Sequence, residues 1–366
     1  MKLSYFSLAI FPKTVLLSAF ILGTLADTPD SSKYPELDKV PAAVASWSKY
    51  VLANVPNIPV NAKMLSSTDW SEDVTTCLSN NQWGLTYDDG PSDTRTDDLL
   101  KTLSEKKVKA TFFVVGSRVL QSPDVLLRTY QAGHEIGLHT WSHPAMTTVS
   151  NERLIAEIVY TAQIVKQVIG VTPRFIRPPY GDIDARVRKV LKNLGLTIVL
   201  WNVDSQDADG AKDVAVKFGA QANAGSSPVI SLEHDLFPDT EAQAASALTN
   251  VLAGSGKYNP MPIGACLGMA SYDEGFWDRI NGNGANPPPP PASASAQASS
   301  VPSTATQNSQ SASSQHTTNA GSNAATTPNV GANAAATPKA NSGLESFHVS
   351  TVASTFAIIL GICMAI

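Results

Sequence analysis

From Trp83 to about Met269 the chain alternates short β-prone runs with helical patterns, which predicts an α/β domain on a parallel sheet, open or closed into a barrel. Two observations sharpen this. A polar cluster directly follows nearly every β-run, and reactive side chains of such folds sit at the C-terminal ends of their strands. The longest helical pattern, behind a Ser150 cap, repeats Leu154, Ile158, Val165 and Ile169 at helical spacing.

The elements follow in order. Trp83–Tyr87 is a β-run leading into a helix over Thr96–Glu105. Lys109–Val115 is the next strand, with a short helix after Pro123. His134–Leu138 precedes the long helix Ser150–Ile169, and Phe175–Arg177 precedes a helix from Asp182 to Leu194. Thr197–Val203 precedes a helix over Ala211–Ala222, and Pro228–Leu232 one over Thr240–Leu252. Pro262–Leu267 reads as the closing strand.

The polar clusters carry the chemistry. Asp88-Asp89-Gly90-Pro91 ends the first strand, and successive side chains at a strand end point different ways, so one carboxylate can hold a metal while the other handles protons. His139 and His143 follow the third strand; Pro144 disfavours a helix there, so a turn must bring the two imidazoles together. Thr140 stands where the H-E-x-x-H metalloprotease pattern needs glutamate, which excludes that class. Arg177-Pro178-Pro179-Tyr180-Gly181 is a stiff loop offering a guanidinium and a backbone N–H. Asp204 and Asp207 follow the fifth run and His234 the sixth; a carboxylate beside an imidazole raises its basicity. His134 lies at the start of its strand and reads as structural.

Taken together, Thr86-Tyr87-Asp88-Asp89-Gly90-Pro91, His139-x-x-x-His143-Pro144, Arg177-Pro178-Pro179-Tyr180, Asp204-x-x-Asp207 and Ile230-Ser231-Leu232-Glu233-His234 resemble the five ordered motifs of the polysaccharide deacetylases of carbohydrate esterase family 4, and within them the fungal chitin deacetylases. The resemblance covers about half the chain. It implies a distorted (β/α) barrel and a metal, zinc or another divalent ion such as cobalt, held by Asp89, His139 and His143. It further implies Asp88 as general base, Arg177 as its tuning partner, the Tyr180 N–H as an oxyanion donor, His234 as acid with Asp204 as its partner, and Leu232 lining the acetyl pocket. The implied reaction is removal of N-acetyl groups from chitin, leaving chitosan and acetate. An acetyl esterase on other wall polysaccharides and a chitin-binding wall protein of weak activity are the alternatives. Two positions depart from the family: Tyr87 replaces the commoner phenylalanine, and Ala208 stands where many members carry tryptophan.

The flanks predict location. The 366-residue chain has a net charge of −5, which gives no footprint for nucleic acid. Residues 1–26 read as a secretion signal with an apolar run over Thr14–Leu25, and 27–79 as an extension packing on the 80–280 domain. Residues 281–340 hold Pro287–Pro291 and a Ser/Thr/Ala-rich, O-glycosylated stalk. Small residues at Asn341, Ser342 and Gly343, a short spacer and an apolar tail from Val349 read as a glycosylphosphatidylinositol signal over 341–366, with Asn341 the first candidate site. A monomer tethered at the plasma membrane, or passed on to the cell wall, is expected. Of three cysteines, Cys363 lies in the discarded tail, so Cys77 and Cys266 pair, closing a loop worth about 5 kcal/mol.

Overall fold

The structure, a computed structural model, describes residues 28–285 and 291. Among these described residues nine strands form: β1 Gln82–Gly84, β2 Thr86–Asp88, β3 Thr111–Val114, β4 Glu135–Leu138, β5 Phe175–Ile176, β6 Thr197–Ile198, β7 Val203–Asp204, β8 Val229–His234 and β9 Asn259–Met261. Every pairing between them is parallel. Parallel neighbours need crossovers, and helices such as Thr96–Lys106, Pro123–Gln131 and Asn151–Ile169 supply them.

The order runs β6-β5-β4-β3-β2-β8-β1-β9, with β7 also on β8. One run closes the ring. It leaves β5 as β6, bridges Val74 at Val199, donates from Asn202 N to Ile230 O (3.1 Å), and reaches β8 as β7. The result is a distorted barrel whose buried Phe113, Phe175, Val199 and Ile230 pack with Cys77 and Cys266 in one apolar cluster. Those cysteines form a disulfide across 189 positions.

The long helix starts behind Ser150, whose side chain accepts from Arg153 N, and stops at Gly170 in the left-handed region (φ 82°). The expected single strand Trp83–Tyr87 is split at Leu85, which donates to Met261 O and accepts from Thr111 N, handing the chain from β9 to β3. The expected closing strand Pro262–Leu267 is instead a short helix, Ile263–Leu267, after β9. Its first two N–H groups are taken by side chains, Ile263 by Thr111 Oγ1 and Gly264 by the Glu135 carboxylate. The helix expected over Thr240–Leu252 is broken into Pro238–Glu241 and Ala244–Ala253.

Aromatic residues of the N-terminal segment pack against the barrel: Tyr34 stacks on Trp141 (5.7 Å, 3°), Trp47 meets Tyr160 edge-on, and Trp70 meets Trp201. Among the described residues no helix is long and apolar enough to cross a membrane. The secretion signal, most of the proline run, the stalk beyond it, Asn341 and the Cys363 tail lie outside the described residues.

Candidate active site

The strand ends place each side chain. Asp88 completes β2 and is buried, while Asp89 turns away with φ 81°. Gly90 is required beside them: its N–H donates to Asp235 Oδ1 (3.0 Å), and a Cβ there would lie 2.5 Å from that carboxylate. Beyond β4, Thr140 (φ 68°) and His143 (φ 58°) bend the chain through left-handed backbone, so a turn carries the two imidazoles. Such backbone persists only where its surroundings over-determine it.

Here they do. The Glu157 carboxylate, buried in the long helix, accepts from Trp141 N (2.6 Å), Ser142 N (2.9 Å) and Ser142 Oγ (2.6 Å), fixing the loop between the histidines. Burial pushes its pKa up to about 7 against the pull of those bonds. Sequence reading missed this residue; the available signal was a carboxylate on the apolar stripe, three after Leu154 and one before Ile158.

Asp89 Oδ1 lies 3.2 Å from His143 Nε2 and 3.4 Å from His139 Nε2, and the two Nε2 atoms are 3.2 Å apart. His139 Nδ1 is 2.7 Å from Arg177 O, so that nitrogen carries the proton and Nε2 presents a lone pair. His143 Nδ1 lies 3.1 Å from the Tyr180 hydroxyl. Two imidazole nitrogens and a carboxylate thus converge in a site small enough for one cation. Burial opposes charge on Asp89, and where the two imidazoles carry protons their contacts outweigh this and hold its carboxyl well below the usual range. The donor set and its geometry fit a divalent metal.

Arg177 stands behind Asp88. Its Nη1 donates to Asp88 Oδ1 (2.9 Å) and Thr86 Oγ1 (2.6 Å), and its Nε and Nη2 donate to Val199 O and Leu200 O. The guanidinium also lies over the rings of Phe113 (4.4 Å) and Trp201 (5.5 Å), so it cannot swing. Asp88 Oδ1 is thereby occupied and Oδ2 remains. Tyr180, at φ 61°, lies in the turn Pro179–Gly181 with its ring largely exposed. Gly181 abuts Trp70, whose Nε1 donates to Gly181 O (3.0 Å).

One expectation is corrected. The carboxylate beside His234 belongs to Asp207, not Asp204: His234 Nδ1 lies 2.7 Å from Asp207 Oδ1, and His234 N donates to Asp207 Oδ2 (2.9 Å). Asp204 instead accepts from Trp201 Nε1 and Gln206 N. Left-handed Gln206 (φ 57°) turns the chain back after β7 and brings Asp207 under the imidazole. Burial alone would lower the His234 pKa, but the Asp207 bond and the charges of Asp89, Asp207 and Asp88 raise it to about 9. Leu232, paired with Asp204 across β7 and β8, is buried. Glu233 lies buried beneath His234, and burial, reinforced by the Asp207 charge, lifts its carboxyl well above the usual range.

Fold and site together define an α/β barrel with an Asp-His-His metal-type centre, flanked by an arginine-paired aspartate and an aspartate-paired histidine. Residues 75–199 match the polysaccharide deacetylase family. The chain is 37% identical to chitin deacetylase 1 of Cryptococcus neoformans var. grubii over 64% of its own length and 58% of that protein's. It is 46% identical to the chitin deacetylase of Amylomyces rouxii over 38% and 33%. The matched segments thus span about half or less of these two curated relatives. The structure of the chitin deacetylase from Colletotrichum lindemuthianum is similar at 31% identity and a TM-score of 0.51, covering 55% of this chain and 95% of that one. The chain belongs to the polysaccharide deacetylases, carbohydrate esterase family 4.

Proposed function

We propose that this protein removes N-acetyl groups from N-acetylglucosamine units of chitin, leaving free amines and acetate. The observation that carries it is the placement of Asp88–Arg177 and His234–Asp207 around the point where Asp89, His139 and His143 converge. Those three residues would hold a divalent cation, zinc first, which when bound polarises the amide carbonyl and acidifies water.

Asp88 Oδ2 accepts the proton of the attacking water, with Arg177 fixing the other oxygen. The water oxygen bonds to the carbonyl carbon, and the Tyr180 N–H donates to the oxygen that gains charge. His234 then gives its Nε2 proton to the nitrogen as the C–N bond breaks, and Asp207 stabilises the imidazolium until then. Leu232 packs against the acetyl methyl. An amine is a poor leaving group, so an imidazole held by Asp207 and able to give up a proton suits an amide better than an ester. The reading places the protein at the cell surface on a glycosylphosphatidylinositol anchor, facing its polymer.

The test is acetate release by the full-length chain from N-acetylglucosamine oligomers and from acetylated xylan, with chelator and with zinc restored. Zinc-dependent release from the oligomers supports the deacetylase. Release from xylan alone turns the reading to an esterase, and binding of chitin without release from either turns it to a wall-binding protein.

A further inference from the structure

We infer that the N-terminal segment builds a second sugar subsite beside the reactive one, in which Asp38 and Arg118 hold the neighbouring N-acetylhexosamine unit of the same chain. The inference rests on the deacetylase reading above and names residues outside all five motifs; Asp38 also precedes the family match, which begins at residue 75.

One cavity of about 480 Å³ is lined both by Asp89 and His143 of the reactive centre and by Asp38 and Arg118. That volume lies within the range of sites for whole small molecules, more than an acetamido group needs. Arg118 Nη2 lies 3.0 Å from Asp38 Oδ1, and Ser117 Oγ donates to the same oxygen (3.1 Å). Asp38 Oδ2 has no protein donor among the described residues, and the carboxylate, which lines the cavity, is half exposed. A carboxylate oxygen and a guanidinium edge held side by side accept from and donate to one sugar unit at once. Tyr180 and Phe237 line the same cavity, each 58% exposed, as apolar faces for the C–H faces of a pyranose.

The pair is registered to the metal-type centre and does not drift with a loose terminus. Trp141, between the two histidines in sequence, donates from Nε1 to Glu36 O (3.1 Å) and stacks on Tyr34, so the histidine loop itself anchors the segment that carries Asp38. The helix Gly116–Gln121, which carries Arg118, begins with Gly116 N and Ser117 N on the carbonyls of Thr140 and Trp141. Asp38 is held at φ 57°, left-handed backbone that aspartate tolerates better than most residues. Both halves of the pair are therefore built onto the loop that carries His139 and His143.

The test compares kcat/KM for N-acetylglucosamine monomer and pentamer in the zinc-loaded full-length chain, its Asp38→Ala variant and its Arg118→Ala variant. Pentamer binding to Asp88→Asn, with and without Asp38→Ala, is measured in parallel by calorimetry. We expect the pentamer-to-monomer ratio to fall about tenfold in either variant, carried by KM, because charge-assisted bonds to the neighbouring unit are lost. A ratio within about twofold of wild type would overturn the inference and leave the deacetylase reading intact. Oligomers bound but not hydrolysed would sink that reading alone. Calorimetry would then decide the subsite: an about tenfold loss of pentamer affinity on Asp38→Ala supports it, and unchanged affinity overturns it.

Discussion

Strand β4 carries a buried histidine and carboxylate chemistry at both ends, and the two ends differ in one respect. At its start, Glu135 accepts from Thr111 Oγ1, Ser271 Oγ and Gly264 N, and His134 Nδ1 accepts from Ala110 N. At its finish, His139 Nε2, His143 Nε2 and Asp89 Oδ1 turn toward one another, and among the described residues Asp89 Oδ1 has no hydrogen-bond donor. Burial pushes the His134 pKa down to about 4 and raises that of Glu135, so perturbed titration by itself does not mark a site. What separates a site from a structural cluster is convergence of lone pairs with nothing to share them. Left-handed non-glycine backbone accompanies that convergence, at Asp89, Thr140, His143 and Tyr180.

The comparison breaks if substitutions at the two ends act alike. Asp88→Asn, at the end of β2 and beside His139, should lower kcat by roughly 10²–10⁴-fold, the usual worth of a general base, without altering unfolding by denaturant. Asp207→Asn should cost roughly 10²-fold, and Asp204→Asn no more than about threefold, in the same acetate assay. Equal losses would mean that Asp204 pairs with His234 during turnover. Glu135→Ala at the start should act the other way: kcat holds, while three orphaned donors destabilise the fold by about 1–3 kcal/mol in a urea titration.

The smallest effect sharpens the picture. In the metal-free chain, the imidazole of His234 should titrate near 9 by NMR, above its ordinary 6.5, and Asp207→Asn should bring it down. Because the folded pKa is raised, its stabilisation is full below 6.5 and is lost as pH rises through about 9. The stability gap between wild type and Asp207→Asn should shrink across that window.

Much of this was legible in sequence because the finish of each strand is contiguous with its motif. Asp88, Asp89, His139, His143, Arg177 and His234 each lie at or within a few residues of a strand's end, and period and turn chemistry located those ends. The partner of His234 was not legible. Asp204 and Asp207 are three residues apart, and the choice rests on a left-handed Gln206, a conformation glutamine does not advertise. Glu157 was hidden by its neighbours, since a single carboxylate in an apolar stripe reads as helix surface until its partners are seen. Pro262–Leu267 misled for a related reason: an apolar run of that length fits a strand or a short helix, and side-chain capping from Thr111 and Glu135, distant in sequence, selects the helix. The N-terminal segment has no motif, and its role emerges only from where Trp141 and Arg118 hold it.

The most direct measurement is an anomalous-scattering map at the zinc edge from crystals of the zinc-loaded protein. One peak is expected, bonded by an Asp89 oxygen, His139 Nε2 and His143 Nε2. A peak at His134 and Glu135, or zinc bound one-to-one in solution with no peak between Asp89 and the two histidines, would contradict it.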